Sequence, residues 1–405
     1  MLRLLHTADV HLGARHADLG EGAAAQRERQ YAAFRATLDL AIAEKLDLVL
    51  IAGDLFDSNV QPKRSVERVA ADLARLKAAK VRTVILPGTH DVYDRASIYR
   101  AYDLKALAGS GVHEDWITVL TPDAPFVHLA ACGVIVVGVV HDTKRAPRGA
   151  LADALAKVPA EVDAPWRIGM LHGALAIPGR TDGDEVVVTT DEIAASGLDY
   201  LALGHWHSMQ EGTAGSTTWA YSGAPEPVAV DQDKAGNVLL VTLDDSKGPH
   251  LVTVEPRTVG RTTFRALELD ARDVVSQPAL VQRLVAEADP DLVLDVRLGG
   301  VRPDELDLDP AEVEAELRDR FLRARVRDRS VPALTEGALP PPDTIAGAFI
   351  RNLEARVAEI EAARPADETN GTGDSGAVAD DARAAELRDA LRLGRLLLAG
   401  HEVTL

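Results

Sequence analysis

The stretch Leu2-Arg3-Leu4-Leu5-His6-Thr7-Ala8-Asp9-Val10-His11-Leu12-Gly13 is an apolar run that ends in an acid and an imidazole two residues apart. A strand over its first half would leave Asp9 and His11 on one side of its end, because side chains alternate along extended backbone. The pattern returns in Leu48-Val49-Leu50-Ile51-Ala52-Gly53-Asp54 and in Thr83-Val84-Ile85-Leu86-Pro87-Gly88-Thr89-His90-Asp91. It returns again in Ile168-Gly169-Met170-Leu171-His172-Gly173 and in Tyr200-Leu201-Ala202-Leu203-Gly204-His205-Trp206-His207. Near-continuous apolar runs of this length read as strands buried on both faces. Each of the five stops at Asp, His or both, usually beside a glycine that lets backbone pass close to a site.

Residues 26–45 carry Tyr31, Phe34, Leu38 and Ile42 at helical spacing, and residues 62–80 carry Val66, Val69, Leu73 and Leu76. This alternation predicts an α/β protein with a largely parallel sheet, and in such sheets ligands gather beyond the carboxyl ends of the strands. From 117 to 140, and again at 219–222, 238–243 and 251–255, short strands follow one another closely. They predict a second sheet packed on the first, so that residues 1–258 form a two-sheet β-sandwich flanked by helices. Strands at 263–269, 292–298 and 323–326, separated by helices at 278–288 and 310–322 with proline at or near the first turn, predict a small βαβαβ domain over 259–332. Residues 333–405 read as a helical C-terminal tail. Its parts are a proline-rich linker at 337–342, a helix capped by Asp343 or Thr344 and running to about residue 363, a disordered stretch at 365–380, and a last helix at 382–399 closed by Gly400. Ile345, Phe349, Leu353, Val357 and Ile360 stripe the first of these helices.

At 405 residues the chain is long enough for two domains and a tail. Charged residues at 26% and apolar residues at 46% are ordinary globular values. The net charge of −19 argues against a simple electrostatic nucleic-acid binder, because phosphate contacts need local Lys and Arg, and it suits bound divalent cations. Cys132, the only cysteine, lies in the apolar run 132–140 and is expected in the core. Disulfides and cysteine metal sites are thereby excluded, and a reducing cytoplasm fits. No apolar run reaches the ~18 residues of a membrane span, so no membrane partner is expected. Residues 1–5 are too short for a signal peptide and are needed as a strand.

Two divalent ions ~3.5–4 Å apart need a shared carboxylate, several N and O ligands each, and a position left for substrate. Asp9, His11 and His207 can hold one ion, His172 and His205 the other, and Asp54 can bridge the two. Asp-x-His or His-x-His alone is weak; all five elements in this order are specific. The motifs A-D-V-H-L-G, G-D-L-F-D, G-T-H-D, L-H-G and G-H-W-H resemble those of the calcineurin-like metallophosphoesterases over roughly residues 1–225. Within that superfamily the chain is similar to the SbcD and YhaO type of DNA repair nuclease. That similarity rests on H-T-A-D-V-H-L-G, on L-F-D after Asp54, and on the small domain and helical tail beyond residue 260.

The resemblance implies the metallophosphoesterase fold with a capping domain. It also implies metal-ligand roles for the six positions named and catalytic roles for His90, acting on the scissile phosphate, and for Asp91 beside it. Physical chemistry leads to the same assignment. Hydroxide bridging two cations is a nucleophile at neutral pH and would attack a phosphodiester in line. His90, oriented or charged by Asp91, can donate a hydrogen bond to the developing phosphorane oxygen or protonate the leaving group. Mixed imidazole and carboxylate ligands suit Mn²⁺, with Fe²⁺ and Zn²⁺ as alternatives.

Thr89 stands where the resemblance expects Asn. Its hydroxyl is shorter and a weak metal ligand, so weak binding of the second ion, with low or absent turnover, is the expectation. His141 and Asp142 are candidates for the rim of the site, Asp57 and Asp94 for supporting acids, and Arg15, Arg95 and Arg100 for phosphate contacts. The C-terminal helices of SbcD-like proteins associate with the coiled-coil root of an SMC-like ATPase, so the resemblance implies an SbcC-type partner. Such a partner would supply the grip on DNA that an acidic chain lacks. The expected function is a cytoplasmic, metal-dependent DNA phosphodiesterase, the exonuclease subunit of an SbcCD-like repair complex and a homodimer through helices flanking the site. Two rivals remain: a small-molecule or cyclic-nucleotide phosphoesterase on the same fold, and a scaffold whose metal site Thr89 has weakened.

Overall fold

The computed structural model describes residues 1–405 except 112, 144–148, 180, 182–185, 230–231, 233, 247–249, 304–305, 333–340, 342, 363–382, 384–385, 392 and 395–405. The chain divides into two compact units, Met1–Ala266 with Ala288–Leu294 and Arg318–Ala324, and Leu267–Glu287 with Asp295–Leu317 and Arg325–Leu405. In the first, β1 (Leu2–Thr7), α1 (Ala23–Ala43), β2 (Leu48–Ala52), α2 (Lys63–Ala78) and β3 (Arg82–Leu86) lead to two short helical turns, α3 (Ile98–Ala101) and α4 (Leu104–Leu107). β4 (Ile117–Val119), β5 (Phe126–Leu129), β6 (Val134–Gly138), α5 (Ala150–Leu155), β7 (Trp166–His172), β8 (Ala174–Leu175), β9 (Val187–Val188) and α6 (Thr190–Ala194) follow. β10 (Tyr200–Gly204), β11 (Gln210–Ala214), β12 (Thr217–Tyr221), β13 (Asn237–Asp244) and β14 (Leu251–Thr258) complete it.

Two six-stranded sheets organise this unit, in the orders β14-β13-β1-β2-β3-β4 and β11-β12-β10-β7-β6-β5. All five polar-ended runs are strands, and neighbouring ones are parallel: β1 with β2, β2 with β3, and β7 with β10. Parallel registry such as Thr7↔Ile51 and Gly204↔His172 brings their carboxyl ends level. Of the short strands expected in a second sheet over 117–140 and at 219–222, 238–243 and 251–255, β5, β6 and β12 do lie there, whereas β4, β13 and β14 join the first sheet. β13 pairs antiparallel with Leu2–His6 of β1, Leu4 opposite Val241, and β14 pairs antiparallel with β13. An apolar run shows that a strand is buried, but not which open sheet edge it completes.

Alternation along each strand sorts the core into three layers. Leu4, Leu50 and Val84 of the first sheet meet Ile168, Met170, Tyr200 and Ala202 of the second. Leu5, Val49 and Ile51 face the other way, onto Phe34 and Leu38 of α1 and Val69 and Leu73 of α2. On the far side, Ile135, Val137 and Leu203 pack with Leu151 of α5 and Ile193 of α6. Each such side chain contributes about 1.5–3 kcal/mol of burial, which is what holds the strand ends rigid. Cys132 is only half-buried at the edge of this core, with its sulfur 3.8 Å from Arg82 Nη1, because the strand β6 begins two residues later.

The second unit takes up β15 (Thr263–Asp270) from Leu267, β16 (Leu292–Gly299) from Asp295 and β18 (Arg323–Asp328) from Arg325, and holds α7 (Gln277–Val285), β17 (Val301–Arg302), α8 (Pro310–Leu317), β19 (Val331–Pro332) and α9 (Ile345–Ala362). The longer strands form one sheet in the order β15-β16-β18. Leu280 and Leu284 of α7 and Val313 and Leu317 of α8 are buried. Ser276 caps α7, accepting from the Ala279 N–H, and Thr344 caps α9, accepting from the Gly347 N–H at 3.0 Å. Of the expected tail, residues 337–340 and 342 of the linker, all of 365–380 and half of the last helix (382, 384–385, 392 and 395–399) lie outside the described residues, while 386–391 are helical. Among the described residues no helix is long and apolar enough to cross a membrane.

Candidate metal centre

Beyond the level ends of β1, β2, β7 and β10 the backbone turns sharply. Asp9, His11, Asp54 and His205 all take positive φ, at 53°, 48°, 51° and 102°. Non-glycine residues pay of order 1–3 kcal/mol for such conformations, which persist only when their surroundings hold them. Here the loops after β1 and β2 brace each other: the Asp9 N–H donates to Gly53 O at 3.1 Å and the His11 N–H to Asp54 O at 2.9 Å. Gly53, at φ 96°, lies against the His172 ring so closely that a Cβ there would overlap it.

This arrangement crowds carboxylates and imidazoles together. Asp54 Oδ2 lies 3.0 Å from His172 Nε2 and 3.8 Å from His11 Nε2, and Asp54 Oδ1 accepts from the His90 N–H at 2.7 Å. Asp9 Oδ1 is 3.9 Å from both His172 Nε2 and His207 Nε2. The Nε2 atoms of His11 and His207 face each other at 3.1 Å. Asp9, Asp54, His11 and His172 are at most 4% exposed. Three sets of possible ligand atoms result: Asp9, His11 and His207; Asp9, Asp54 and His172; and His11, Asp57 and His90. His205 is in none of them. Its ring centroid is 5.6 Å from that of His172, and its backbone N–H meets both Asp9 carboxylate oxygens at 3.0 Å. Thr89 is half-buried between Gly88 and His90.

The charges follow from this geometry. Burial opposes ionisation of Asp54, but the His172, His11 and His90 rings hold its carboxyl well below the usual range. Burial likewise disfavours the imidazolium of His172, yet Asp54 and Asp9 push its pKa up to about 10. Burial works against His11 too, and Asp57, Asp54 and Asp9 raise it all the same. His207, where burial prevails over Asp9, is lowered. Contact with the His11 ring holds Asp57 down against its partial burial. At the edge of the group, burial and the nearby His172 lower His141 to about 4.

Asp91 is not placed to orient His90. It is fully buried and accepts from the Gly88 N–H at 2.7 Å, the Phe56 N–H at 3.1 Å and the Tyr99 hydroxyl at 2.6 Å. Burial, followed by the charge of Asp54, raises its pKa. A short carboxylate one residue from His90 points back under the loop and ties three segments together. The His90 ring is held instead by Asp57, whose carbonyl oxygen is 2.9 Å and whose Oδ1 is 3.8 Å from Nδ1. Asp57 also reaches His11 Nδ1 at 3.5 Å, so a residue read from sequence as a supporting acid joins two site histidines. Its signal was the spacing of G-D-L-F-D, three residues beyond Asp54. Gln232, whose Nε2 lies 2.6 Å from His207 Nδ1, carried no motif, being 25 residues along the chain. Ala52, whose carbonyl is 3.0 Å from His172 Nδ1, was equally invisible as a polar partner.

A family profile described as Calcineurin-like phosphoesterase matches residues 2–209. The uncharacterized metallophosphoesterase YhaO of Bacillus subtilis is 28% identical over 239 residues, 55% of this chain and 52% of that protein. The DNA double-strand break repair protein Mre11 of Aeropyrum pernix is 27% identical over 278 residues, 67% of this chain and 64% of its own length. The SbcD component of the nuclease SbcCD from Rhodobacter capsulatus is 27% identical over 328 residues, 72% of this chain and 77% of that component. The chain thus spans about half to two thirds of the first two relatives and somewhat more of the third.

Proposed function

The chain belongs to the calcineurin-like phosphoesterase family, whose members use divalent metals, and from that premise we propose that it is a metal-dependent DNA phosphodiesterase of the repair-nuclease type. The observation that carries this reading is the meeting of Asp9, His11, Asp54, His172 and His207 from four strand ends. The donors fit a cation. His172 Nε2 is buried and faces only carboxylate oxygens, Asp54 Oδ2 at 3.0 Å and Asp9 Oδ1 at 3.9 Å, and two imidazole nitrogens confront each other at His11 and His207. Two positions sharing Asp9 account for both sets, one with His11 and His207 and one with Asp54 and His172. Asp54 Oδ2 also leans toward His11, so either carboxylate can be the shared one. The mixed ligand set suits Mn²⁺, with Fe²⁺ or Zn²⁺ as competitors. Bound there, divalent ions supply Lewis acidity toward a phosphoryl oxygen and acidify water.

The remaining work falls to side chains. Asp57 engages Nδ1 of His90, which leaves Nε2 of this half-exposed ring to donate to a phosphoryl oxygen or to the leaving group. The His205 N–H fixes the Asp9 carboxylate, and Asp91 fixes the loop that carries Thr89 and His90. DNA as substrate and an SMC-like ATPase as partner are supported by the names of the Mre11 and SbcCD relatives. The exposed Ile345 and Phe349 on α9 suit a docking helix for such a partner.

The test is to incubate the purified full chain and its His90→Ala variant with Mn²⁺, a linear duplex and a chromogenic phosphodiester. Metal-dependent cleavage of the duplex that falls at least about 100-fold in the variant is expected. Cleavage of the small ester alone would move the function to small phosphoesters, and hydrolysis of neither would overturn the proposal.

A further inference from the structure

Directly after the His90 loop, α3, α4 and β4 enclose an open cleft of about 490 Å³, within the range of small-ligand pockets. Its lining includes Tyr93, Tyr99 and Tyr102, half of the six tyrosines in a chain that is 4% aromatic, together with Arg100 and Lys105. The rings have different duties. Tyr99 is the floor: its hydroxyl is spent on Asp91 at 2.6 Å and its ring leans on Phe56, with centroids 6.2 Å apart. Tyr93 and Tyr102 are only half-buried and offer ring surface to the cleft. The exposed Arg100 lies 4.3 Å over the Tyr93 ring and donates Nε–H to Asp94 O at 3.0 Å, so its guanidinium is held in place. The acid on this wall, Asp103, is turned into capping α4, accepting from the Ala106 N–H at 3.0 Å.

We propose that this cleft is a nucleobase subsite, which takes a base next to the phosphate held at the metal centre. The inference rests on the phosphodiesterase reading of that centre. Flat aromatic walls stack on any base, and an adjacent guanidinium and ammonium suit the phosphates on either side of it. The cleft is also close enough: Tyr93 is three residues beyond His90, so their Cα atoms are at most about 11 Å apart. Tyr99 ties the cleft floor through Asp91 to the same loop that donates the His90 N–H to Asp54. An unpaired or flipped base therefore fits this cleft, whereas a base stacked within a duplex does not present its faces.

The test measures binding in EDTA, where turnover is absent, by fluorescence anisotropy of the full chain with two labelled probes. One is a short single-stranded thymidine oligonucleotide, and the other is the same phosphate backbone with abasic residues. The wild-type chain should prefer the base-bearing probe about tenfold, toward the lower end of what one stacked base contributes. Tyr93→Leu and Tyr102→Leu should each reduce that preference severalfold, and Tyr93→Phe, which keeps the ring, should retain it. Equal binding of both probes by the wild-type chain, or a preference unchanged in both leucine variants, would overturn the subsite while leaving metal-dependent hydrolysis to be judged separately. A preference that follows the rings in a chain that hydrolyses no phosphodiester would sustain the subsite and sink only the hydrolase.

Discussion

Two fully buried histidines on parallel strands of the same sandwich are driven in opposite directions. His6, in the body of β1, has Nδ1 2.8 Å from the Tyr200 hydroxyl, and burial lowers its pKa to about 3. His172, the last residue of β7, is just as buried, yet the carboxylates of Asp54 and Asp9 overcome burial and push it up to about 10. In the body of β1 the buried imidazole is admitted as a neutral partner of a hydroxyl. At their ends the fold collects charge that apolar packing cannot neutralise. Asp295 in the second unit shows what a buried carboxylate looks like when it is settled by protein alone: Arg297 at 2.8 Å and Arg327 at 3.0 Å bracket it. Around Asp9 and Asp54 there are imidazoles and no guanidinium among the ion pairs of the described residues, a set of lone pairs that suits a cation.

The contrast can be broken most directly at the strand ends. Asp54→Asn should lower metal-dependent turnover at least 10³-fold, about 4 kcal/mol, while melting in EDTA changes far less. The stabilisation that saturating Mn²⁺ gives the wild-type chain, about 2.7 kcal/mol at a hundredfold excess over Kd, should largely vanish in the same variant. Turnover near the wild-type value would show that the cluster is not the reacting centre. In the body of the strands the opposite is expected: Leu50→Ala should cost about 2–5 kcal/mol in urea unfolding and leave kcat within severalfold at temperatures where the chain stays folded.

His6 sharpens the same comparison through pH. The folded chain keeps its ring neutral down to about pH 3, whereas the unfolded chain takes up a proton near pH 6.5. Stability is therefore lost as pH falls below 6.5, by about 2–3 kcal/mol at pH 4.5. His6→Gln should lose correspondingly less between pH 7 and 4.5 in urea titrations, and an identical loss would refute this account. Asp57→Asn removes the carboxylate charge beside His90 and His11 but keeps the backbone carbonyl that holds His90, and should lower kcat about tenfold, with metal stoichiometry unchanged by elemental analysis. The smallest effect is expected at Thr89→Asn, which adds a carbonyl ligand. Titration calorimetry with Mn²⁺ should show second-site affinity rising by up to about tenfold, and equal affinities would remove Thr89 from the ligand argument.

The strand ends were readable because a run such as Leu48–Ala52, apolar at every position, has to be buried on both faces, and an acid at its end then has to be accounted for. His205 and Asp91 show where this reading stops. Both follow the motif pattern, yet His205 braces Asp9 through its backbone N–H and Asp91 turns inward to Gly88, Phe56 and Tyr99. Sequence spacing places a residue at the site, but the direction of its side chain depends on the loop dihedrals around it. The same limit explains Asp57 and Gln232, which reach the histidines only after their loops fold back.

By itself, then, the amino-acid order determined that five apolar strands end in acids and imidazoles, because hydrophobic periodicity and polar interruptions are local properties of the chain. Only the tertiary structure decided that β13 and β14 extend the first sheet, that Asp9 lies in two sets of possible ligand atoms, and that Asp57 rather than Asp91 holds His90. Those outcomes depend on which distant backbone groups meet, and distances between segments far apart in the chain are set by packing rather than by spacing.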